Sequence, residues 1–208
     1  MSSKQRQQIL KDVYALIAEL WCSPYEADAT WDDIRKHAEE VVKRLESISK
    51  ESAKLLSTFL RQNAIAEEDY IDLFELDPQC ALYLGSHSYD EPKTCAGSAV
   101  SDRNEYMIEL TGIYKHFGQL PNGKELPDYL PLMVDFLSLT AESKDDPVRE
   151  KLIKDYFLPY LPPMRSRLEE LRTPYLYLLD ALEKIVSMES KTEPLPKQRE
   201  EKVRANVG

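Results

Sequence analysis

Glu125-Leu-Pro-Asp-Tyr-Leu-Pro-Leu-Met-Val-Asp-Phe-Leu137 opens an apolar helix with two prolines four residues apart, and neither proline stops it. Pro127 stands just ahead of the predicted helix start. Pro131 falls within the first turn, where a backbone N–H has no intrahelical acceptor to lose. Asp128 is placed to cap free N–H groups and to complement the positive end of the helix dipole. An entrance built this way is rigid and directs backbone donors toward a cleft.

The same punctuation recurs on either side. Only 6 Gly accompany 13 Pro, which fits helices divided by proline better than a glycine-turned β fold. Ile9, Leu10, Val13, Tyr14, Ile17, Leu20 and Trp21 form one apolar stripe at helical spacing. Thr30 with Asp33 predicts the start of a second helix that turns Ile34, Val41, Val42, Leu45 and Ile48 inward. A third carries Leu55, Leu56, Phe59 and Leu60, and a fourth runs from about Glu67 to Leu76. Asp77-Pro78 reads as N-cap plus first-turn proline of a short helix with Leu82 and Tyr83, ending near Gly85. The stretch Ser86 to Ala99 loses periodicity and reads as a loop.

Helical spacing returns with Tyr106, Met107, Leu110, Ile113, Tyr114 and Phe117, closed by Gly118 as a left-handed cap. The proline-opened helix follows, from about Asp128 to Ala141. Asp146-Pro147 starts another, with Val148, Leu152, Ile153 and Tyr156 on one side. Pro159, Pro162 and Pro163 are expected to break the chain ahead of a short helix near Met164–Leu171. Thr173-Pro174 caps a last helix with Leu178, Leu179, Leu182, Ile185 and Val186 inward. No strand alternation competes, so the fold class is all-α: a multi-helix bundle in one domain over 1–188. The charged segment 189–208 has almost no large apolar residue and is expected to be a disordered tail.

Composition bounds function. At 208 residues, 42% hydrophobic and 31% charged, the chain is long and apolar enough to bury a core. A net charge of −10 argues against nucleic acid and anionic membranes and favours a basic partner segment. Cys22, Cys80 and Cys95 lie far apart without a C-x-x-C pair, so a reducing compartment is expected. The polar start Met1-Ser-Ser-Lys-Gln-Arg does not lead into a signal peptide, and no apolar run approaches the ~18 residues of a membrane span. The expected location is the cytoplasm.

Catalytic signatures are missing from the sequence: no glycine-rich phosphate loop, no G-x-S-x-G, and only His37, His87 and His116 for acid–base work near neutral pH. His37 and Glu40 share a helical face, which a solvated surface explains as well as a metal pair does. Cys80, beside Ala81 and Leu82, reads as a small buried thiol. An enzyme stays open on these residues, but nothing in them asks for one, and no metal or cofactor is expected.

What the sequence does supply is a one-sided acidic window. Between Arg61 and Lys93 there is no Lys or Arg, yet there are eight carboxylates: Glu67, Glu68, Asp69, Asp72, Glu75, Asp77, Asp90 and Glu91. Within it Tyr70, Leu73 and Phe74 fall at i, i+3, i+4. Such a stripe is either core with the acids as its wet side, or the floor of a groove for a foreign apolar segment whose arginines the acids grip. An exposed carboxylate–arginine pair contributes only about 0–1 kcal/mol, whereas burying a leucine-sized side chain contributes roughly 1.5–3 kcal/mol. A micromolar complex needs about 8 kcal/mol net, so apolar anchors must carry the affinity while the acids set orientation and on-rate.

Four blocks resemble the NarJ/TorD/DmsD family of molybdoenzyme maturation chaperones. Tyr70-Ile-Asp-Leu-Phe74 is similar to its aromatic-x-x-Leu-Phe block. Ala81-Leu-Tyr-Leu84, followed by His87, is similar to its Leu-Tyr-Leu segment. Glu125 to Leu137 matches the Pro-Asp-His/Tyr-Leu signature, and Tyr160-Leu-Pro162, Arg167-Leu168 and Pro174-Tyr175 resemble its C-terminal pattern. The resemblance implies a compact helical chaperone without enzymatic activity. Its partner would be the catalytic subunit of a molybdopterin-dependent oxidoreductase. It would bind that subunit's N-terminal segment, a twin-arginine leader or its remnant, until the molybdenum cofactor is inserted.

On that resemblance the peptide-binding residues are Tyr70, Leu73, Phe74, Asp77, Leu126, Pro127, Asp128 and Tyr129, with Glu68, Asp69 and Asp72 as an acidic rim. Two departures stand out. The longer segment Asp90–Gly97 replaces the short Arg-rich link of NarJ-type proteins. Tyr129 replaces the histidine of the TorD and DmsD branches, which places the chain nearer the nitrate-reductase-like branch. The competing reading is a helical adaptor that binds an unrelated amphipathic helix. Oligomeric state stays open, including self-association by exchange of segments through a long loop.

Overall fold

A computed structural model describes residues 1–23, 31–62, 67–89, 101–120 and 123–190, with the backbone alone for 31–33. The protein is all-α, and among the described residues no strand forms beyond one isolated bridge between Tyr83 and Tyr129. The elements in chain order are α1 (Ser3–Trp21), α2 (Trp31–Leu45), α3 (Lys50–Gln62), α4 (Glu67–Phe74), a 3-10 turn (Leu84–His87), α5 (Asp102–His116) and α6 (Leu130–Leu139). They continue with α7 (Pro147–Lys151), a π-helical turn (Leu152–Phe157), a 3-10 turn (Leu158–Tyr160), α8 (Leu161–Glu170) and α9 (Tyr175–Ser190).

The apolar stripes read from the sequence are the faces that meet. Helix α1 packs chiefly on α6 and α2, α3 on α9 and α2, and α8 on α9. Pro131 lies in the first turn of α6 as expected. The Asp146 side chain accepts from the Val148 N–H at 2.8 Å and opens α7 ahead of Pro147. Gly118 takes a φ of +71° just past α5, the left-handed cap that glycine adopts at no steric cost.

Three expectations are corrected. Residues 77–83 are not a helix: Asp77 takes a φ of +49°, and Leu82 and Tyr83 run extended beside 128–130. Pro162 and Pro163 do not precede α8 but form its first turn, where their missing N–H groups cost nothing. Glu189 is no part of a tail. It sits in the last turn of α9 and accepts 2.6 Å bonds from the buried Arg149 guanidinium and the Tyr14 hydroxyl. Arg149 also reaches Thr140 Oγ1 and the Leu137 carbonyl, so this buried cation is both paired and hydrogen-bonded. Residues 191–208, 90–99 and Thr30 lie outside the described residues, and with them the expectations of a disordered tail and a long loop. Among the described residues no helix is long and apolar enough to cross a membrane.

Candidate functional site

The segment 77–81 leaves α4 and folds back on it: the Cys80 N–H donates to the Leu73 carbonyl at 2.9 Å and Gln79 N–H to that of Asp72 at 3.3 Å. His87 Nε2 lies 2.7 Å from the Ala81 carbonyl, and Arg167 Nε donates to that of Gln79 at 2.8 Å. These bonds place Leu82 and the extended Tyr83 ahead of the 3-10 turn, and the chain alternates Leu82 in, Tyr83 half-out, Leu84 in.

The Pro-Asp-Tyr turn runs antiparallel to it. Leu84 N–H donates to the Asp128 carbonyl at 3.0 Å, and Leu130 N–H to the Leu82 carbonyl at 2.8 Å. Asp128, expected to cap α6, does something else. Its carboxylate Oδ2 accepts from Gly85 N–H at 2.9 Å, across 43 residues of sequence. A Cβ at Gly85 would stand 2.8 Å from that oxygen, so glycine is required here by close approach. The other oxygen, Oδ1, is buried with no hydrogen-bond partner among the described residues. Burial pushes the Asp128 carboxyl above its usual range, against the pull of the Gly85 N–H and the positive charge of Arg103. Pro127 is held beneath by Tyr114, whose hydroxyl donates to its carbonyl at 2.6 Å.

On the outside of this junction the Tyr83 and Tyr129 rings lie 5.4 Å apart at 42°. Tyr83 donates its hydroxyl to Glu125 at 2.5 Å, and burial together with that carboxylate pushes its own pKa up to about 12. The charges of Glu125 and Glu75 both act on Tyr129, which burial pushes higher still. Leu126 beside them is 48% exposed. The result is a half-exposed aromatic pair with a bare leucine and carboxylates around it.

The stripe expected to floor a groove lies elsewhere. Tyr70, Leu73 and Phe74 are 1%, 8% and 5% exposed, so they are core with the acids as its wet side and not the floor of an open groove. Phe74 packs against Tyr175, Trp21 and Tyr70 with centroids at 4.7, 5.9 and 5.2 Å, and the Tyr70 hydroxyl donates to the Trp21 carbonyl at 2.8 Å. An eight-residue helix with two aromatics on one face can hold its place only by burying them. Glu68, Asp69, Asp72 and Asp77 are exposed, as a rim requires. Of the residues read together from the sequence, Asp128 is buried, Pro127 and Tyr129 are half-buried, and Leu126 is open. Tyr83 and Glu125 were not among them. The in–out–in alternation of Leu82-Tyr83-Leu84 was the available signal for the first.

Curated relatives match more than half of this chain. The chain is 28% identical over 153 residues to the nitrate reductase molybdenum cofactor assembly chaperone NarJ of Escherichia coli K12, covering 71% of this chain and 59% of that one. It is 27% identical over 132 residues to the probable chaperone NarW of the same organism, covering 64% and 52%. With the probable NarJ of Bacillus subtilis 168 the identity is 31% over 115 residues, covering 55% of each. The matches thus span little more than half the length of these relatives, whose names describe assembly chaperones rather than catalysts. Residues 43–177, which include α4, the Tyr83–Tyr129 junction, α6 and the start of α9, match the profile of the nitrate reductase delta subunit family, and the chain belongs to that family.

Proposed function

We propose that this protein is a cytoplasmic, non-catalytic assembly chaperone for a molybdopterin-dependent oxidoreductase of the nitrate reductase kind. It holds the catalytic subunit by its N-terminal segment, a twin-arginine leader or its remnant, while the molybdenum cofactor is inserted. The family match over residues 43–177 carries this reading. The surface around Tyr83, Tyr129 and Leu126 supports the peptide part of it. Aromatic faces and an open leucine receive apolar side chains, while Glu75, Glu125, Asp72 and Asp77 favour a segment that begins basic. Pro127 and Asp128 hold the turn beneath, and Tyr70, Leu73 and Phe74 fix α4 under the acidic rim of Glu68 and Asp69.

The test is calorimetric titration of the chain with the N-terminal peptide of a molybdopterin subunit encoded beside it. Leu126→Ala combined with Tyr129→Ala should weaken binding by about tenfold or more, each side chain contributing roughly 1 kcal/mol or above. Undiminished affinity in that variant would remove the site. Failure of the tagged chain to copurify with any molybdopterin subunit would remove the function.

A further inference from the structure

Helix α5 turns Tyr106, Leu110, Ile113 and Tyr114 into the core. Its outer side carries Glu105, Ile108, Gly112, Lys115 and, just past the helix, Gln119, all exposed. Their spacing of three, four, three and four residues makes one continuous seam, the spacing by which two helices pack side by side. Two members of the seam are out of place on a solvated surface. Ile108 is 61% exposed. Gly112 answers no need inside the chain, since its φ is not left-handed and a Cβ there would meet nothing within 4 Å. Glycine in a helix interior is destabilising relative to alanine. What it offers in return is close approach by another backbone.

We propose that this seam is a contact between two copies of this chain, with their α5 helices antiparallel about a two-fold axis midway between Ile108 and Gly112. That axis sets Ile108 of each copy over Gly112 of the other, and Glu105 of each against Lys115 of the other. A knob meets a hole and a carboxylate meets an ammonium, each twice, as an isologous interface requires. Neither Glu105 nor Lys115 has an ion-pair partner among the described residues. The second copy is favoured over a foreign helix because the seam is complementary to itself in both shape and charge. Contact along roughly 20 Å of helix buries less than the ~1,000 Å² of a stable interface, so the dimer is weak and concentration-dependent.

Sedimentation equilibrium of the full chain near physiological salt, where the Debye length of about 8 Å screens the net charge but spares close pairs, measures it. A monomer–dimer equilibrium is expected as concentration rises toward millimolar. Ile108→Glu should weaken it by about tenfold or more. Glu105→Lys and Lys115→Glu should each weaken it, and the combined swap should return it to within about threefold of the unsubstituted chain. Gly112→Ala should raise Tm through helix propensity while loosening the dimer, two opposite signs that a purely structural role would not give. Circular dichroism establishes that each variant is folded. A chain that stays monomeric throughout, a dimer indifferent to Ile108→Glu or Gly112→Ala, or a charge swap no tighter than its single variants would overturn the proposal.

Discussion

Two stretches of this chain mix aromatic, aliphatic and acidic residues in much the same way, and the fold uses them oppositely. In α4 the aromatics point inward and the carboxylates outward, so the stripe stabilises the helix and leaves only charge for a partner. At the 82–85/126–130 junction the leucines point inward while Tyr83 and Tyr129 stay half-exposed. The difference lies in periodicity. A short helix puts Tyr70, Leu73 and Phe74 on one face, whereas an extended segment sends alternate side chains to opposite faces, so one of them must meet water. A similar composition therefore yields core in one place and a half-exposed aromatic surface in the other.

The strongest test of that contrast is Phe74→Ala. As a core residue against Trp21, Tyr70 and Tyr175 it should cost about 3–5 kcal/mol in urea unfolding. A loss below about 1 kcal/mol would return α4 to the surface and erase the distinction. Next is Gly85→Ala. Where the backbone conformation suits alanine and space is open such a change is neutral or stabilising, but here the new Cβ collides with the Asp128 carboxylate, and a loss of about 1–3 kcal/mol is expected. A stable variant would show that the Asp128–Gly85 bond does not organise the junction.

A pH series sharpens the same point. Burial lowers the His87 pKa, with Arg167 adding to the effect. The unfolded chain then binds a proton before the folded one does, and stability falls as pH drops below about 6.5. In His87→Gln that part of the acid-side loss should disappear from unfolding curves compared across pH. The smallest effects belong to the rim. Asp72→Asn and Asp77→Asn should each change stability by less than about 0.5 kcal/mol, yet slow association with a basic client peptide and flatten its salt dependence in stopped-flow measurements.

How far the sequence carries is visible residue by residue. Helix positions and buried faces follow from 3.6-residue spacing, and the entrances at Pro131 and at Asp146-Pro147 follow from local backbone chemistry. The errors at Asp128, Tyr83 and Glu189 share one cause. Asp128 binds Gly85, Tyr83 pairs with Tyr129, and Glu189 pairs with Arg149 across distances in sequence that local propensity does not see. Asp128 reads as an N-cap because a neighbouring helix start needs one, and tertiary contact outbid that need. Pro162-Pro163 was misplaced for a different reason: two prolines look like an interruption, although a first turn has no use for their missing donors. For the candidate site, the legible half was the Leu126–Tyr129 turn, while the Tyr83–Glu125 partnership needed the fold.

The buried Arg149–Glu189 pair also orders events in time. A growing chain exposes Tyr14 first, Arg149 much later, and Glu189 another forty residues on. Until the final turn of α9 leaves the ribosome, a guanidinium destined for the interior has no counter-charge, and closing α1 against α6 around it would strand a naked cation. The packing of α1 against α6 therefore waits on a carboxylate made 175 residues after Tyr14.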